Sequence, residues 1–378
     1  MRPSLKLSRR KALYMSLGGL GFVMASCAPQ TPVATSTSPT AASPSTAATS
    51  ASPSASASAQ IAGGKAVSLS GAGATFPAAL YQRWFADFNK KNSNVQISYQ
   101  SVGSGAGVKQ FIAGTVDFGA SDVAMKEDEI AKVSKGAVLI PVAAGSIVFA
   151  YNLPDVKELK LSREVYVNIL LNKITKWNDP AIAKLNEGTK LPDQAISFVY
   201  RSDGSGTTGV FTKHLSAVSP EWKAGPGEGK SIQWPTGTGA KGNEGVAAQI
   251  QQTVGSIGYI EYGYATQNKI SFATIENKAG KYIKADPESG SKSLASIELP
   301  PNLIAFEPDP KGEGAYPIVS FTWLLLYKKY DDPTKAEAIK AMLEWALTEG
   351  QKTSAELGYI PIPTDVVAKI KPAIATIS

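Results

Sequence analysis

The stretch "ISFVYRSDGSGTTGVFTKHL", residues 196–215, joins an apolar strand pattern to a helix pattern through a glycine-rich turn. Val210, Phe211, Leu215 and Val218 fall on one stripe of the predicted helix. Glycine lets a backbone approach a ligand closely, and the first amides of a helix lack intrahelical partners. Because those amides also lie at the positive end of the helix dipole, the turn is a candidate anion site.

Two earlier segments repeat this design of a strand, small or hydroxyl residues, and a helix start. They are "LSGAGATFP" (69–77) and "YQSVGSGAGVKQ" (99–110). Ligands in α/β proteins bind at the carboxyl ends of strands, so we expect the three turns to converge. A single turn of this kind could equally be a tight turn with an N-cap serine.

The rest of the chain also alternates between strand and helix patterns. Strands are predicted at 95–102, in "TVDFGASD" (115–122), in "GSIVFAYNL" (145–153) and in "SFTWLLLYKK" (320–329). Helices are predicted after Pro77 and from about 333 to 348. This alternation predicts an α/β fold.

The N-terminal residues have the pattern of an exported protein. An apolar run at 12–26 follows a basic segment, is too short to span a bilayer comfortably, and ends in "MASC". That ending resembles the lipobox of bacterial lipoproteins, which implies a signal peptide at 1–26 and acylation of Cys27, the only cysteine. "SRRKALY" (8–14) leaves twin-arginine export open beside Sec export.

Residues 27–65 are predicted to be a disordered tether, because nearly all residues from 28 to 60 are Ala, Ser, Thr or Pro. The remaining chain, of about 310 residues, exceeds what one hydrophobic core usually serves, so we expect two lobes.

Charge and residue usage exclude several functions. The chain has 38 basic and 31 acidic residues, but five of the basic ones lie in the leader, which argues against nucleic-acid binding. His214 is the only histidine, which excludes most zinc sites. It also excludes a histidine-assisted serine nucleophile, unless His214 itself is the base. His214 is interpreted as a partly buried helix residue. We expect no metal, cofactor or catalytic residue.

Nucleotide motifs are also absent or poorly placed. None of the three turns continues into Gly-Lys-Ser/Thr, so a P-loop is not predicted. "GTGAKG" (237–242) matches Gly-x-Gly-x-x-Gly, but it follows "QWPT" and not a clear strand, and is interpreted as a surface loop.

Several motifs together resemble a known family, the periplasmic phosphate-binding proteins of high-affinity phosphate ABC importers. They are "GAGATFP", "GSGAGVKQ", "TVDFGASD", "RSDGSGTTGVF", "LNKITKWNDPAIAKLN", "GNEGVAAQIQQTVGSIGYIEYGYA" and "AYPIVSFTWLLLYKK". The resemblance implies a two-lobed, type II Venus-flytrap fold with the ligand cleft between the lobes. Lobe I would comprise 66–145 and 310–378, and lobe II 146–309.

The resemblance also implies which residues bind phosphate and which one supports them. The implied ligands are Thr75, Phe76, Ser104, Asp122, Arg201, Ser205, Gly206 and Thr207. Asp203 would brace Arg201. "GSGAG" departs slightly from the family pattern, but Ser104 is kept.

Asp122 has a separate physical argument, since a carboxylate beside an anion should repel it. At physiological pH phosphate keeps a proton that it can donate to a carboxylate, whereas sulfate has none. We therefore expect Asp122 to select phosphate over sulfate; an Asx-turn or helix cap is the alternative for this residue.

The predicted function is to bind inorganic phosphate outside the cytoplasmic membrane and deliver it to an ABC permease. The protein is expected to be a monomer that contacts the membrane only through its lipid anchor, on the periplasmic or cell-surface side. Two alternatives stay open: a phosphomonoesterase, and a binding protein for another oxyanion such as sulfate or molybdate.

Overall fold

A computed structural model describes residues 60–378. The predicted signal peptide, Cys27 and the tether up to residue 59 lie outside the described residues. The strands are β1 Val67–Gly73, β2 Val95–Ser101, β3 Phe118–Ser121, β4 Ala137–Tyr151, β5 Lys160–Leu161, β6 Ser197–Arg201, β7 Thr238–Ala240, β8 Ser256–Glu261, β9 Ser271–Phe272, β10 Thr274–Glu276, β11 Tyr282–Ile283 and β12 Val319–Tyr327.

Helices cover the segments between these strands and the C-terminal region. They are α1 Ala78–Lys91, α2 Ser104–Ile112, α3 Glu127–Ile130, α4 Arg163–Leu170, α5 Pro180–Leu185, α6 Gly206–Val218, α7 Pro220–Ala224, α8 Gly242–Gln252, α9 Tyr262–Gln267, α10 Pro287–Leu294, α11 Pro333–Ala346, α12 Glu349–Glu356 and α13 Thr364–Ala375. A short 3-10 turn, Ile61–Gly64, precedes β1. No helix in the described part of the chain is long and apolar enough to span a membrane.

One large mixed sheet organises the fold. Its strand order is β2-β1-β3-β12-β4-β8-β6-β7, with β9 added beside β4, and β11-β10-β5 form a smaller sheet. Strands β1, β2 and β3 are parallel to each other, as are β6, β7 and β8. The antiparallel strands β12 and β4 connect these two parallel groups.

The long strand β4 brings the carboxyl ends of both parallel groups to the same place. On one side, Gly145 of β4 pairs with Ser320 of β12, whose hydroxyl donates to the carbonyl of Asp122 just after β3. On the other side, Ile147 of β4 pairs with Glu261, the last residue of β8. Ligands bind at the carboxyl ends of strands in α/β sheets. Because this register places those ends beside the middle of β4, a binding site is expected there.

The central strands β4 and β12 are buried on both faces of the sheet. All nine residues of β12 are buried, as are all but one of the fifteen residues of β4. Such uninterrupted burial is typical of strands with helices on both faces, and it explains their almost continuous apolar sequences.

The predicted elements agree with the structure at most positions. The helix after Pro77, the strands at 95–102 and 320–329, and the helix near 333–348 are confirmed as α1, β2, β12 and α11. The strand expected at 145–153 is the second half of β4, which begins at Ala137. The last residues of the predicted tether include the 3-10 turn, where Ala62 N donates to Glu337 at 2.8 Å. Residues 60–378 belong to one compact unit, and the two-lobe boundaries stay a prediction.

Candidate functional site

The site lies where the turns after β1, β2, β3 and β6 meet the start of α8. The backbone N–H of Gly105 donates to the carbonyl of Gly204 at 2.7 Å, which joins the second and third glycine-rich turns directly. A β-carbon at Gly206 would clash with Ser104 Oγ and Asp122 Oδ2. Glycine is therefore required here by close approach, and the predicted convergence of these turns is confirmed.

The predicted ligand residues are not only close but removed from solvent. Those whose side chains are almost fully buried are Thr75, Phe76, Ser104, Asp122, Arg201, Ser205 and Thr207. A buried arginine and a buried aspartate are rare unless each is paired or hydrogen-bonded. Their partners therefore determine what the site can bind.

Arg201, the last residue of β6, is held in one orientation by Asp203. Its Nε donates to Asp203 Oδ1 at 2.8 Å and its Nη2 to Oδ2 at 2.6 Å, a bidentate pair. Burial alone would raise the pKa of the Asp203 carboxyl, but Arg201 and the N–H of Gly242 outweigh it and the pKa lies below its ordinary value. The remaining arm, Nη1, donates to Thr207 Oγ1 at 3.2 Å.

Ser205 caps the helix that begins at Gly206. Its Oγ accepts from Thr208 N at 3.0 Å, which is the N-cap bond expected of serine. Its own N–H donates to the carbonyl of Lys230 at 2.8 Å. The amides of Gly206 and Thr207 lie in the first turn of α6, where no intrahelical acceptor exists.

Asp122 is the one predicted ligand with a buried side-chain atom that lacks a hydrogen-bond partner. Thr322 Oγ1 donates to its Oδ1 at 2.9 Å, whereas the buried Oδ2 has no hydrogen-bond partner among the described residues. Burial raises the pKa of this carboxyl to about 7, although the Thr322 hydroxyl and the positive charge of Arg201 act in the opposite direction. Leaving a buried acceptor unpaired is costly, so this oxygen suits a ligand that brings a hydrogen.

Thr75 and Phe76, which follow β1, are fixed by residues from distant parts of the chain. Tyr264 donates its hydroxyl to the Thr75 carbonyl at 2.6 Å, and Tyr359 donates to the Phe76 carbonyl at 2.7 Å. Asn243 donates from both its backbone and its side chain to Thr75 Oγ1. The segment is thereby held against the start of α8.

Sequence reasoning missed three contributors to the site: Asn243, Thr322 and the tyrosine hydroxyls. Asn243 directly follows "GTGAKG", which is mostly exposed as the surface-loop interpretation expected but is not entirely a loop. Residues 238–240 form β7 beside β6, and Gly242 N donates to Asp203 Oδ1 at 3.0 Å. The glycine-rich sequence at a helix start was a usable signal for Asn243, whereas nothing local marked Thr322.

The prediction for His214 also needs correction, because the ring is fully buried and not partly so. Its Nε2 and Nδ1 lie 2.8 Å from the Tyr166 hydroxyl and 2.7 Å from the Pro308 carbonyl. Burial lowers the pKa of the imidazole to about 4, so the ring is neutral at physiological pH. With both nitrogens engaged elsewhere, His214 does not serve as a base for Ser104 or Ser205.

A cavity of about 470 Å³ borders the site at Asp122. Its lining includes the apolar side chains of Phe306 and Trp323. Lys230 also lines it, with its Nζ 3.8 Å from the Glu129 carboxylate, and burial lowers the pKa of this lysine. Within residues 60–378 no cluster of three or more His, Cys, Asp or Glu could hold a metal ion.

Known proteins are similar to this chain in sequence and in fold. Residues 37–349 match the family model described as PBP superfamily domain. The phosphate-binding protein PstS of Pasteurella multocida (strain Pm70) is 43% identical over 311 residues, which are 81% of this chain and 90% of that protein. The PstS of Haemophilus influenzae (strain Rd) is also 43% identical over 311 residues, covering 81% and 92% respectively.

Solved structures give the same fold at lower sequence identity. A high affinity periplasmic phosphate-binding protein (PfluDING) bound with phosphate superposes with a TM-score of 0.68 at 20% identity, covering 81% of this chain and 93% of that one. The phosphate binding protein of Stenotrophomonas maltophilia gives 0.66 at 20% identity, covering 81% and 94%. The α/β binding-protein fold predicted from the sequence is confirmed.

Proposed function

The chain belongs to the PstS family of phosphate-binding proteins within the PBP superfamily, and on that premise we propose that it binds inorganic phosphate for import by an ABC permease. The observation that supports this most directly is the environment of Asp122 Oδ2. This buried, unpaired acceptor lies beside the hydroxyl of Ser104 and the backbone of Gly206, and near the charge of Arg201.

Phosphate fits this arrangement because it presents many acceptors and at least one hydrogen. The oxygens would receive hydrogen bonds from the helix-start amides, the hydroxyls and the Arg201 guanidinium. The hydrogen would be donated to Asp122 Oδ2. Because Asp203 already neutralises Arg201, hydrogen bonds and not net charge would hold the anion.

We assign the ligand contacts to the residues that the sequence resemblance implied. They are Thr75, Phe76, Ser104, Asp122, Arg201, Ser205, Gly206 and Thr207, with Asp203 as the brace of Arg201. Burial of the ligand side chains and the hydrogen bonds that Arg201 makes to Asp203 and Thr207 support the assignment.

The cellular context of the proposal comes from the leader sequence and from the family. We propose export as a lipoprotein, with acylation at Cys27, a tether at 27–65 and a monomeric binding domain outside the cytoplasmic membrane. That domain would close two lobes, 66–145 with 310–378 and 146–309, around the ion and release it to the permease. Catalysis is not part of the proposal.

Calorimetry on phosphate-depleted protein tests the function. The expected result is saturable binding of phosphate that roughly a hundredfold excess of sulfate does not displace, because a site built to accept a ligand hydrogen discriminates by roughly 10⁴- to 10⁵-fold. The same preparation should not hydrolyse a chromogenic phosphate ester between pH 5 and 9. Absence of binding would reject the proposal, equal competition by sulfate would favour a general oxyanion receptor, and turnover of the ester would favour the phosphomonoesterase.

A further inference from the structure

The side chain of Asn243 is oriented without ambiguity at the centre of the site. It is fully buried in the first turn of α8, and its Oδ1 accepts from the backbone N–H of Glu261 at 3.0 Å. The oxygen and the nitrogen of a side-chain amide are bonded to the same planar carbon and point in different directions. The hydrogen bond at Oδ1 therefore directs Nδ2 away from Glu261. Nδ2 then lies 2.8 Å from Thr75 Oγ1 and 3.1 Å from Thr207 Oγ1.

These contacts use every acceptor position of the two threonine hydroxyls. A hydroxyl oxygen has two lone pairs and one hydrogen to donate. Thr75 Oγ1 accepts from Asn243 N at 3.1 Å and from Asn243 Nδ2. Thr207 Oγ1 accepts from Arg201 Nη1 at 3.2 Å and from Asn243 Nδ2. Each hydroxyl is therefore left with only its hydrogen to offer.

We propose that Asn243 is a positioning residue that fixes the hydroxyls of Thr75 and Thr207 as hydrogen-bond donors toward the bound oxyanion. The inference deepens the proposed function and rests on it. Thr75 follows β1 and Thr207 lies in the first turn of α6, so one amide group orders donors from both parallel halves of the sheet. A ligand group that could only donate hydrogen bonds would find no acceptor at either hydroxyl, which favours an anion made of acceptors.

Asn243→Asp tests the inference with almost no change in shape. The new carboxylate would keep the bond from Glu261 N–H, but its second oxygen would accept from the threonine hydroxyls and turn their hydrogens away from the ligand. Two hydrogen bonds to a charged ligand would be lost, so phosphate affinity should fall by roughly 100-fold or more. Asn277→Asp is the matched control, because Asn277 is equally buried but donates only to the carbonyls of Gly312, Glu313 and Ala315.

Added negative charge would also weaken binding, and a double-mutant cycle separates the two causes. In the wild-type background Thr75→Val should cost about tenfold in affinity. In the Asn243→Asp background it should cost less than about twofold, since the hydroxyl no longer faces the ligand. Charge repulsion alone would leave the tenfold cost unchanged.

Asn243→Ala covers the case in which the carboxylate prevents folding. It adds no charge, and it should lower the cost of Thr75→Val in the same direction, because the hydroxyl regains rotational freedom. Additive costs in both backgrounds, with wild type binding phosphate normally, would overturn the inference and leave the proposed function intact. Failure of wild type to bind phosphate would reject the proposed function itself.

Discussion

The two carboxylate oxygens of Asp122 have different environments, because Thr322 donates to Oδ1 at 2.9 Å while Oδ2 is buried without a partner in the described part of the chain. Thr322 lies on β12, which is antiparallel to β3, the strand that ends next to Asp122. The strand pairing thus occupies one oxygen and leaves the other for a ligand. A ligand hydrogen at Oδ2 would complete the hydrogen bonding of the carboxylate.

Asp122→Asn should reduce discrimination between phosphate and sulfate. Thr322 can still donate to the amide oxygen, which leaves the NH₂ group where Oδ2 was and gives sulfate a donor in place of a repelling acceptor. We expect the ratio of sulfate to phosphate dissociation constants to fall by at least about tenfold. Competition calorimetry measures this ratio, and Asp117→Asn, at the other end of β3, is the control that should leave it unchanged. An unaltered ratio in Asp122→Asn would remove the proposed role of this residue.

The raised pKa of Asp122 makes the ligand-free protein less stable as pH increases. The pKa moves from an ordinary 3.8 to about 7 in the fold, so between roughly pH 4 and pH 7 the folded state retains a proton that the unfolded chain has released. Stability should therefore fall through this window, and the destabilisation should be complete above about pH 7. The amide of Asp122→Asn does not titrate.

Thermal unfolding without phosphate at pH 5 and pH 8 measures this effect. The melting temperature of Asp122→Asn relative to wild type should be higher at pH 8 than at pH 5. Comparing the two proteins cancels the contribution of His214, whose pKa burial also shifts. The contribution of Glu261 cancels only in part, because burial and also the charge of Asp122 raise the pKa of Glu261. A difference that does not change with pH would show that Asp122 stays ionised throughout.

Local sequence was sufficient to predict the elements that carry the site and their convergence. Each turn has its own glycines, hydroxyls and helix start, and these are properties of short segments such as 69–77 and 199–211. Thr322 could not be found in this way, because it is brought to Asp122 by strand pairing across 200 positions. The tyrosines that hold Thr75 and Phe76, Tyr264 and Tyr359, likewise come from distant parts of the chain, and no local pattern links them to the segment that they hold.

Arg201→Ala should weaken phosphate binding by at least about tenfold, because it removes a charged donor from a buried site. It also leaves Asp203 without its bidentate partner, which adds repulsion toward the anion. Titration calorimetry at constant pH measures the change. Arg83→Ala is the control, since Arg83 pairs with Asp87 on the exposed face of α1. This variant should bind phosphate with the wild-type constant. A wild-type constant in Arg201→Ala as well would contradict the assignment of this arginine.

Gly206→Ala should abolish tight phosphate binding. The added β-carbon would clash with Ser104 Oγ and with Oδ2 and Cβ of Asp122, so these two proposed ligand side chains would have to leave their positions. We expect affinity to fall by roughly 100-fold or more, since several ligand contacts would be disrupted together. Gly245→Ala on α8 is the matched control, because its β-carbon would come no closer than 3.7 Å to Ala240 and alanine favours a helix. Calorimetry and thermal unfolding of both variants separate the two effects: Gly245→Ala should bind normally and melt at the same temperature or higher. Tight binding by Gly206→Ala would contradict the proposal that Ser104 and Asp122 hold the ion from these positions.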